Sequence, residues 1–267
     1  MIFSADIEDW QQSVFDFERP ISHRVLNNTA QLLDILAEHQ VQGTFFVQGM
    51  VAERFPKLVK AIAEQGHELA SHAYSHRPLY TLTPEQFKDE IERSVASLET
   101  ISGKKVLGFR APTFSVRTEM LPWYCDTLQA FGIRYESSIM LAQVRKVYGF
   151  ADGSILEAIR ARGLDTYPLA TCTVLGKSLP VMGGGYFRIY PYALNRWLAR
   201  DLNQSTGVFY MHPYELDTKE YQEVAKPAGI SKTWAVHQFA RRAGMIKKLH
   251  KLLTDYSFTS FQAQYYN

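Results

Sequence analysis

The segment Ser71-His72-Ala73-Tyr74-Ser75-His76 places two histidines four residues apart, directly after the short apolar run Glu68-Leu69-Ala70. Such a pair can point one way, on a helical turn or on a tight loop after a strand. Neutral imidazole takes a transition metal without first losing a proton near pH 7. Catalytic zinc-type centres use three protein ligands and keep one position open for water, so the pair needs a partner. A His-x3-His pair alone is more often two surface or core histidines. The rest of the chain therefore has to supply a third ligand, a base and an acid. Three places offer them: the acidic run Asp6-Ile7-Glu8-Asp9, Arg110 in Phe109-Arg110-Ala111-Pro112, and His212 before Pro213. Taken singly, the aspartates read equally well as loop or helix caps, and His212 as a core histidine before a turn.

The elements that must position these residues follow from periodicity and punctuation. Ile2 to Ala5 forms a buried first strand that runs into the acidic residues, which are costly to bury without a role. A helix over Asn27 to His39 leads through Gly43 to a strand at Thr44-Phe45-Phe46-Val47. A helix over Val51 to Gln65, ended by Gly66, precedes a strand at His67 to Ser71 that delivers the histidine pair. Thr83, Pro84 and Gln86 form a capping box that starts a helix running to about Thr100. Strands follow at Val106 to Phe109, Ile133 to Tyr135 and Asp165 to Leu169, with a helix over Thr118 to Phe131. After a helix over Tyr192 to Asn203 come a strand at Gly207 to Met211, a long helix over Trp234 to Thr254 and a closing strand at Phe258 to Ala263. Strands alternating with helices imply an α/β architecture with a parallel sheet. The polar residues Asp6/Glu8/Asp9, His72/His76, Arg110, Glu136 and His212 all fall just after strands. In a β/α barrel those are the strand mouths where active sites sit. Residues 140 to 190, rich in glycine, read as loops over one end of the barrel, and no linker divides residues 1–267, which implies a single domain.

The bulk properties remove several classes. With 46% hydrophobic and 21% charged residues, the chain has the composition of a soluble globular protein. A net charge of +2 gives no basis for nucleic-acid binding or an anionic membrane. The basic run Arg241-Arg242, Lys247-Lys248 and Lys251 reads as a solvated helix face. No stretch is long and apolar enough to span a bilayer, and the N-terminus lacks a signal-peptide pattern. Cys125 and Cys172 do not form a metal spacing, so a cytoplasmic chain with reduced thiols is the expectation.

In this context the chain resembles the polysaccharide deacetylases, the family-four carbohydrate esterases with a distorted (β/α) barrel of about seven parallel strands. Within them it is similar to the branch linked to exopolysaccharide biosynthesis. The matching stretches are Ser4-Ala5-Asp6-Ile7-Glu8-Asp9-Trp10, Gly43-Thr44-Phe45-Phe46-Val47 and Gly66-His67-Glu68-Leu69-Ala70-Ser71-His72-Ala73-Tyr74-Ser75-His76. They continue in the family's order with Gly108-Phe109-Arg110-Ala111-Pro112, Tyr135-Glu136-Ser137-Ser138, Gly183-Gly184-Gly185-Tyr186-Phe187-Arg188 and Phe209-Tyr210-Met211-His212-Pro213.

The resemblance implies metal-dependent N-deacetylation of an N-acetylated sugar, in a surface polysaccharide or its precursor. It maps a divalent ion, zinc by default, onto His72, His76 and Asp9, with Glu8 as the alternative third ligand. Asp6 becomes the general base, Arg110 its orienting partner and His212 the general acid. The loop after Pro112 becomes the place for an oxyanion-binding backbone N–H, with Thr113 where a tyrosine is usual. The family's adjacent aspartates are here separated by Ile7-Glu8. Its Asp/Trp motif behind the acid histidine has no clear counterpart, with Glu136 a candidate substitute. Trp10, Tyr74, Tyr186, Tyr190 and Trp197 offer flat faces for pyranose rings, Trp10 and Tyr186 foremost. Gly183-Gly184-Gly185 either admits sugar close to the backbone or forms a flexible turn. Two rival readings share these residues: a hydrolase of a small cyclic amide or ureide, and a glycan-binding barrel without turnover. A homo-oligomer is compatible with the sequence.

Overall fold

The computed structural model describes residues 1–141, 153–174, 176–200, 202 and 207–267. Its frame is a sheet of seven parallel strands: β1 (Ile2–Ile7), β2 (Thr44–Val47), β3 (Glu68–Ser71), β4 (Gly108–Phe109), β5 (Tyr135–Glu136), β6 (Asp165–Thr166) and β9 (Val208–Met211). A two-stranded hairpin, β7 (Thr171–Val174) with β8 (Lys177–Pro180), lies outside it. The strand order is β6-β5-β4-β3-β2-β1-β9, so the last strand returns to pair with the first. Flat strands sit about 4.8 Å apart, which would put β4 roughly 14 Å from β1. Arg110, just after β4, nevertheless reaches Asp6 of β1 at 2.6 Å. The sheet is therefore strongly curled into a half-barrel whose edges are β6 and β9.

Eleven α-helical segments can be traced among the described residues: α1 (Arg24–Glu38), α2 (Gly49–Arg54), α3 (Pro56–Glu64), α4 (Pro84–Ser102), α5 (Leu121–Ala130), α6 (Ser154–Ala161), α7 (Gly184–Ile189), α8 (Tyr192–Ala199), α9 (Lys232–Phe239), α10 (Met245–Asp255) and α11 (Phe261–Tyr265). The capping box of α4 is present in full: the Gln86 N–H donates to Thr83 Oγ1, and the Thr83 N–H donates to Gln86 Oε1.

Side chains alternate across each strand. Phe3, Ala5, Ile7, Phe45, Val47, Leu69 and Phe209 belong to the main core outside the curl. Ile2, Phe46, Ala70, Val208 and Tyr210 belong to a second cluster inside it. The parity that faces inward on these strands is even, and it carries on past the strand ends to Glu8, His72, Arg110 and His212.

Three expectations need correction. The helix over 51–65 breaks at Phe55, because Pro56 can only begin a new helix (α3) there. The long C-terminal helix also breaks: α9 stops at Phe239, Ala240 is extended and Arg241 has φ 61°. The break exposes the Ala240 carbonyl to Arg188 and buries Arg242 against Glu220 at 2.8 Å. The closing strand is instead one bridge, Thr259 beside Ile2, followed by α11, whose N-cap Ser260 Oγ accepts from the Ala263 N–H. Parts of the loops expected over 140–190, and the end of the helix expected to reach Asn203, lie outside the described residues.

Candidate active site

Asp6 and Arg110 form the floor of the site. Both are buried, and the guanidinium is held through all three of its nitrogens: Nη1 donates to Asp6 Oδ1 at 2.6 Å and to Ser4 Oγ at 3.0 Å. Nε donates to the Ser137 carbonyl at 2.9 Å and Nη2 to Ser137 Oγ at 3.0 Å. The guanidinium carbon lies 4.0 Å from the Phe46 ring centroid. Four fixed donor contacts and an aromatic face leave one orientation for Arg110, and Arg110 in turn fixes one oxygen of Asp6. The other oxygen, Oδ2, points across the site to His212 Nε2 at 3.8 Å.

Above this floor Glu8, His72 and His76 converge, with one ligand atom from each within 4.8 Å of the others. Glu8 Oε2 lies 3.5 Å from His72 Nε2 and in direct contact with His76 Nε2. His72 Nδ1 is 2.8 Å from the Arg110 carbonyl, which can only accept, so Nδ1 carries the proton and Nε2 offers its lone pair. Burial alone would raise the Glu8 carboxyl, but His76, His72 and His212 hold it well below the ordinary carboxylate range. Burial opposes charge on His72, yet Asp6, Glu8 and the Arg110 carbonyl raise its imidazole above the ordinary value. Buried Glu8 Oε2 meets only the His72 and His76 imidazole nitrogens, with no other hydrogen-bond donor among the described residues. Two imidazole nitrogens and one carboxylate oxygen, pointed at one spot, fit a divalent transition ion with an open position.

Of the two carboxylates expected as third ligand, Glu8 and not Asp9 stands beside the two histidines. Asp9 lies outside the cluster because its carboxylate is already occupied. Its Oδ1 accepts from Ser22 Oγ at 3.0 Å and from the Gln11 N–H at 3.3 Å, and its Oδ2 accepts from the Ser22 N–H. Asp9 thus pins the 16–22 loop to the turn after β1. Glu8, on the even parity of Ser4 and Asp6, turns inward.

A cavity of about 400 Å³ opens over these groups, lined by Asp6, Glu8, His72, His76, Thr113 and His212 together with residues of the second half of the chain. Thr113 and Phe114 hold left-handed backbone conformations, φ 54° and 53°. The Phe114 and Ser115 N–H groups are taken by the Ala111 and Pro112 carbonyls. Tyr186 lines the cavity as expected from the sequence.

Trp10 does not line it. Its ring is fully buried against Phe15, Trp234 and Phe239, in an apolar cluster with Tyr214 and Ala225 behind the cavity wall. Tyr74 lies under Arg93, 3.5 Å from its ring centroid, and Trp197 stands on the exposed surface of α8. Glu136 faces outward, bonded to Thr166, Tyr124 and the Ser138 N–H, and so cannot stand behind His212. Gly183 and Gly184 pack on Tyr210, whose ring a Cβ at Gly183 would meet at 2.1 Å. The glycine run seats α7 over the barrel mouth.

Several cavity residues escaped the sequence reading: Tyr214, Glu215, Arg188, Trp234 and His237. Three had a usable signal. Tyr214 and Glu215 follow His212-Pro213, and Arg188 closes the Gly-Gly-Gly-Tyr-Phe-Arg stretch. Trp234 and His237 arrive from α9 by tertiary packing and had none.

Comparison with known proteins agrees with this geometry. Residues 16–135 match the family model described as polysaccharide deacetylase, and residues 137–266 match a domain of unknown function, DUF3473. The chain is 34% identical over 98 residues to a peptidoglycan-N-acetylglucosamine deacetylase of Bacillus cereus, covering 37% of this chain and 36% of that protein. It is 34% identical over 103 residues to a chitooligosaccharide deacetylase of Sinorhizobium fredii, covering 38% and 44%. The chain thus aligns with less than half the length of these relatives. A crystal structure of a Mycobacterium smegmatis protein assigned as a polysaccharide deacetylase superposes with a TM-score of 0.58 at 23% identity, covering 97% of this chain and 85% of that one, and shows the same fold. The curled seven-stranded sheet and the ordered motifs along it agree with the family match over residues 16–135: this part of the chain, which carries β2 to β4, is similar to the polysaccharide deacetylases.

Proposed function

We propose that this protein is a divalent-metal-dependent N-deacetylase, a hydrolase of the amide bond in an N-acetylated sugar of a surface polysaccharide or its precursor. One observation carries the reading: a carboxylate–arginine pair, a two-histidine–carboxylate cluster and a third histidine, drawn from β1, β3, β4 and β9, share one cavity. The whole chain then acts as a single catalytic unit, since the acid on β9 comes from the half outside the deacetylase family match.

Glu8, His72 and His76 would hold the ion, with zinc the natural occupant of a two-imidazole, one-carboxylate set. An ion held there would lower the pKa of water and polarise the acetyl carbonyl. Asp6 takes the proton of the attacking water through Oδ2, while Arg110 holds Oδ1 and fixes the direction of the base. The Thr113 N–H, on its left-handed backbone at the cavity wall, would donate to the developing oxyanion. His212 Nε2 gives a proton to the departing nitrogen as the C–N bond breaks, leaving acetate and a free amino sugar. Tyr186 supplies an apolar face to the ring. The deacetylase relatives favour a glycan over a small cyclic amide.

Acetate release from N-acetylated chitooligosaccharide tests the reading, run beside a small cyclic amide and repeated after chelation and re-addition of zinc. The proposal expects zinc-restored release from the oligosaccharide. Turnover of the cyclic amide alone would replace it with the rival hydrolase, and zinc binding without turnover of either would replace it with a glycan-binding barrel.

A further inference from the structure

Beside the reacting groups lies a feature that the proposed mechanism does not use. The His212 and Tyr214 rings are stacked, with centroids 4.7 Å apart and an angle of 12° between planes. Tyr210 meets the same imidazole edge-on, at 5.9 Å and 84°. His212 Nδ1 is buried and has no hydrogen-bond partner among the described residues. A catalytic histidine is ordinarily held by a bond from its second nitrogen to a carboxylate or carbonyl, which sets the ring's direction. Here Nε2 still points between Asp6 Oδ2 (3.8 Å) and Glu8 Oε1 (3.6 Å).

We infer that Tyr214 is the positioning residue of His212, its stacked ring setting the line along which Nε2 meets the departing nitrogen. The inference rests on the N-deacetylase reading above.

The local chain makes the stack. Pro213 opens a tight turn over 213–216, closed by the Glu215 N–H donating to the His212 carbonyl at 2.9 Å, and the turn lays residues 212 and 214 parallel. Tyr214 cannot swing away. It is buried against Trp10 and Ala225, and the Arg242 guanidinium carbon lies 5.3 Å from its ring centroid. Arg242 is anchored in turn by Glu220 at 2.8 Å, the Gln238 carbonyl at 3.1 Å and the Asp217 carbonyl at 3.2 Å. The two ring contacts, one parallel and one perpendicular, enclose the imidazole on two sides, as a second-nitrogen hydrogen bond otherwise would. Trp10 gains a role by the same geometry: it backs the ring that backs the acid.

The test compares two leaving groups. Amide hydrolysis needs a proton on the departing nitrogen, whereas 4-nitrophenolate leaves without one. Tyr214→Leu and Tyr214→Met remove the ring, and Tyr214→Phe keeps it. The ring-less variants should lose about ten- to a hundredfold in kcat on N-acetylated chitooligosaccharide, a partial loss of the roughly hundred- to ten-thousandfold that general acid catalysis is usually worth. Their KM and zinc content should stay near those of the wild type, and 4-nitrophenyl acetate hydrolysis should change little. Tyr214→Phe should restore most of the amide kcat. Equal losses on amide and aryl ester would mean a general disturbance of the site and overturn the inference, as would Tyr214→Phe failing as badly as Tyr214→Leu. His212→Ala separates the two levels. If it is inactive on the amide while Tyr214→Leu is fully active, the positioning role fails and the acid assignment survives. If His212→Ala is itself active, both fail.

Discussion

The two ends of β3 carry the same residue types with opposite hydrogen-bond accounts. At the N-terminal end, Glu68 is buried inside the barrel and fully bonded: Tyr135 Oη donates to Oε1 at 2.8 Å, while Thr44 Oγ1 (2.6 Å) and the Gln262 N–H (2.9 Å) donate to Oε2. Its neighbour His67 accepts from the Gly43 N–H at 3.2 Å and packs on Phe45. At the C-terminal end, Glu8 Oε2 meets only the imidazole nitrogens of His72 and His76, and His212 Nδ1 beside it has no hydrogen-bond partner among the described residues. Burying polar groups without partners is expensive, and a fold keeps such groups where something else is to bind. The satisfied cluster is structural; the unsatisfied one is where the chemistry is proposed. The same contrast separates two adjacent residues, Glu8 with an oxygen that meets only imidazoles and Asp9 with three donors.

Substitutions at the two ends should therefore fail differently. The largest effect is expected at His72. His72→Ala should lower zinc affinity by more than about a hundredfold, beyond what loss of an outer partner costs, and activity should fall with it. Glu68→Gln, at the other end of the same strand, should leave metal content unchanged. Retained stoichiometric zinc in His72→Ala, read by elemental analysis after dialysis, would dissolve the distinction. Next, Asp6→Asn should keep zinc bound while deacetylation falls about a hundred- to ten-thousandfold, the usual worth of a positioned base. An active Asp6→Asn protein would remove Asp6 from the chemistry.

The smaller effects concern stability. Burial pushes the His67 imidazole down to about 4, from an ordinary value of 6.5. The fold thus prefers the neutral ring. Its contribution is complete above about pH 6.5 and is lost as pH falls through that value toward about 4, with an upper bound of about 3 kcal/mol. His67→Gln should flatten the acid limb of a stability–pH curve measured by denaturant unfolding, and an unchanged limb would contradict the assignment. Asp9→Ala should cost about 1–2 kcal/mol, the usual worth of a capping carboxylate, with the loss localised to the 16–22 loop by hydrogen exchange.

Much of this was legible in the residues. Every strand of the large sheet was placed in order from apolar runs and punctuation; of the polar residues expected after them, Asp6, Glu8, His72, His76 and His212 share one cavity, while Asp9 and Glu136 turn away. The inward-facing carboxylate was legible too, through strand parity: positions 4, 6 and 8 share a face, and 9 does not. Motif spacing pointed to Asp9 instead. Glu136 is excluded by the same geometry, since its strand neighbour Tyr135 takes the inward position. Other features depend on contacts between distant segments. The break between α9 and α10 stems from buried Arg188 and Arg242, whose partners lie some 20 to 50 residues away. The burial of Trp10 depends on α9, and no local pattern distinguishes an aromatic wall from the aromatic core behind it.

The central claim is that Glu8, and not Asp9, completes the metal centre with the two histidines. Zinc stoichiometry of Glu8→Gln and Asp9→Asn, measured side by side on folded protein, tests it most directly. The account predicts that Glu8→Gln loses zinc while Asp9→Asn retains it. Zinc lost from Asp9→Asn and kept by Glu8→Gln would contradict it.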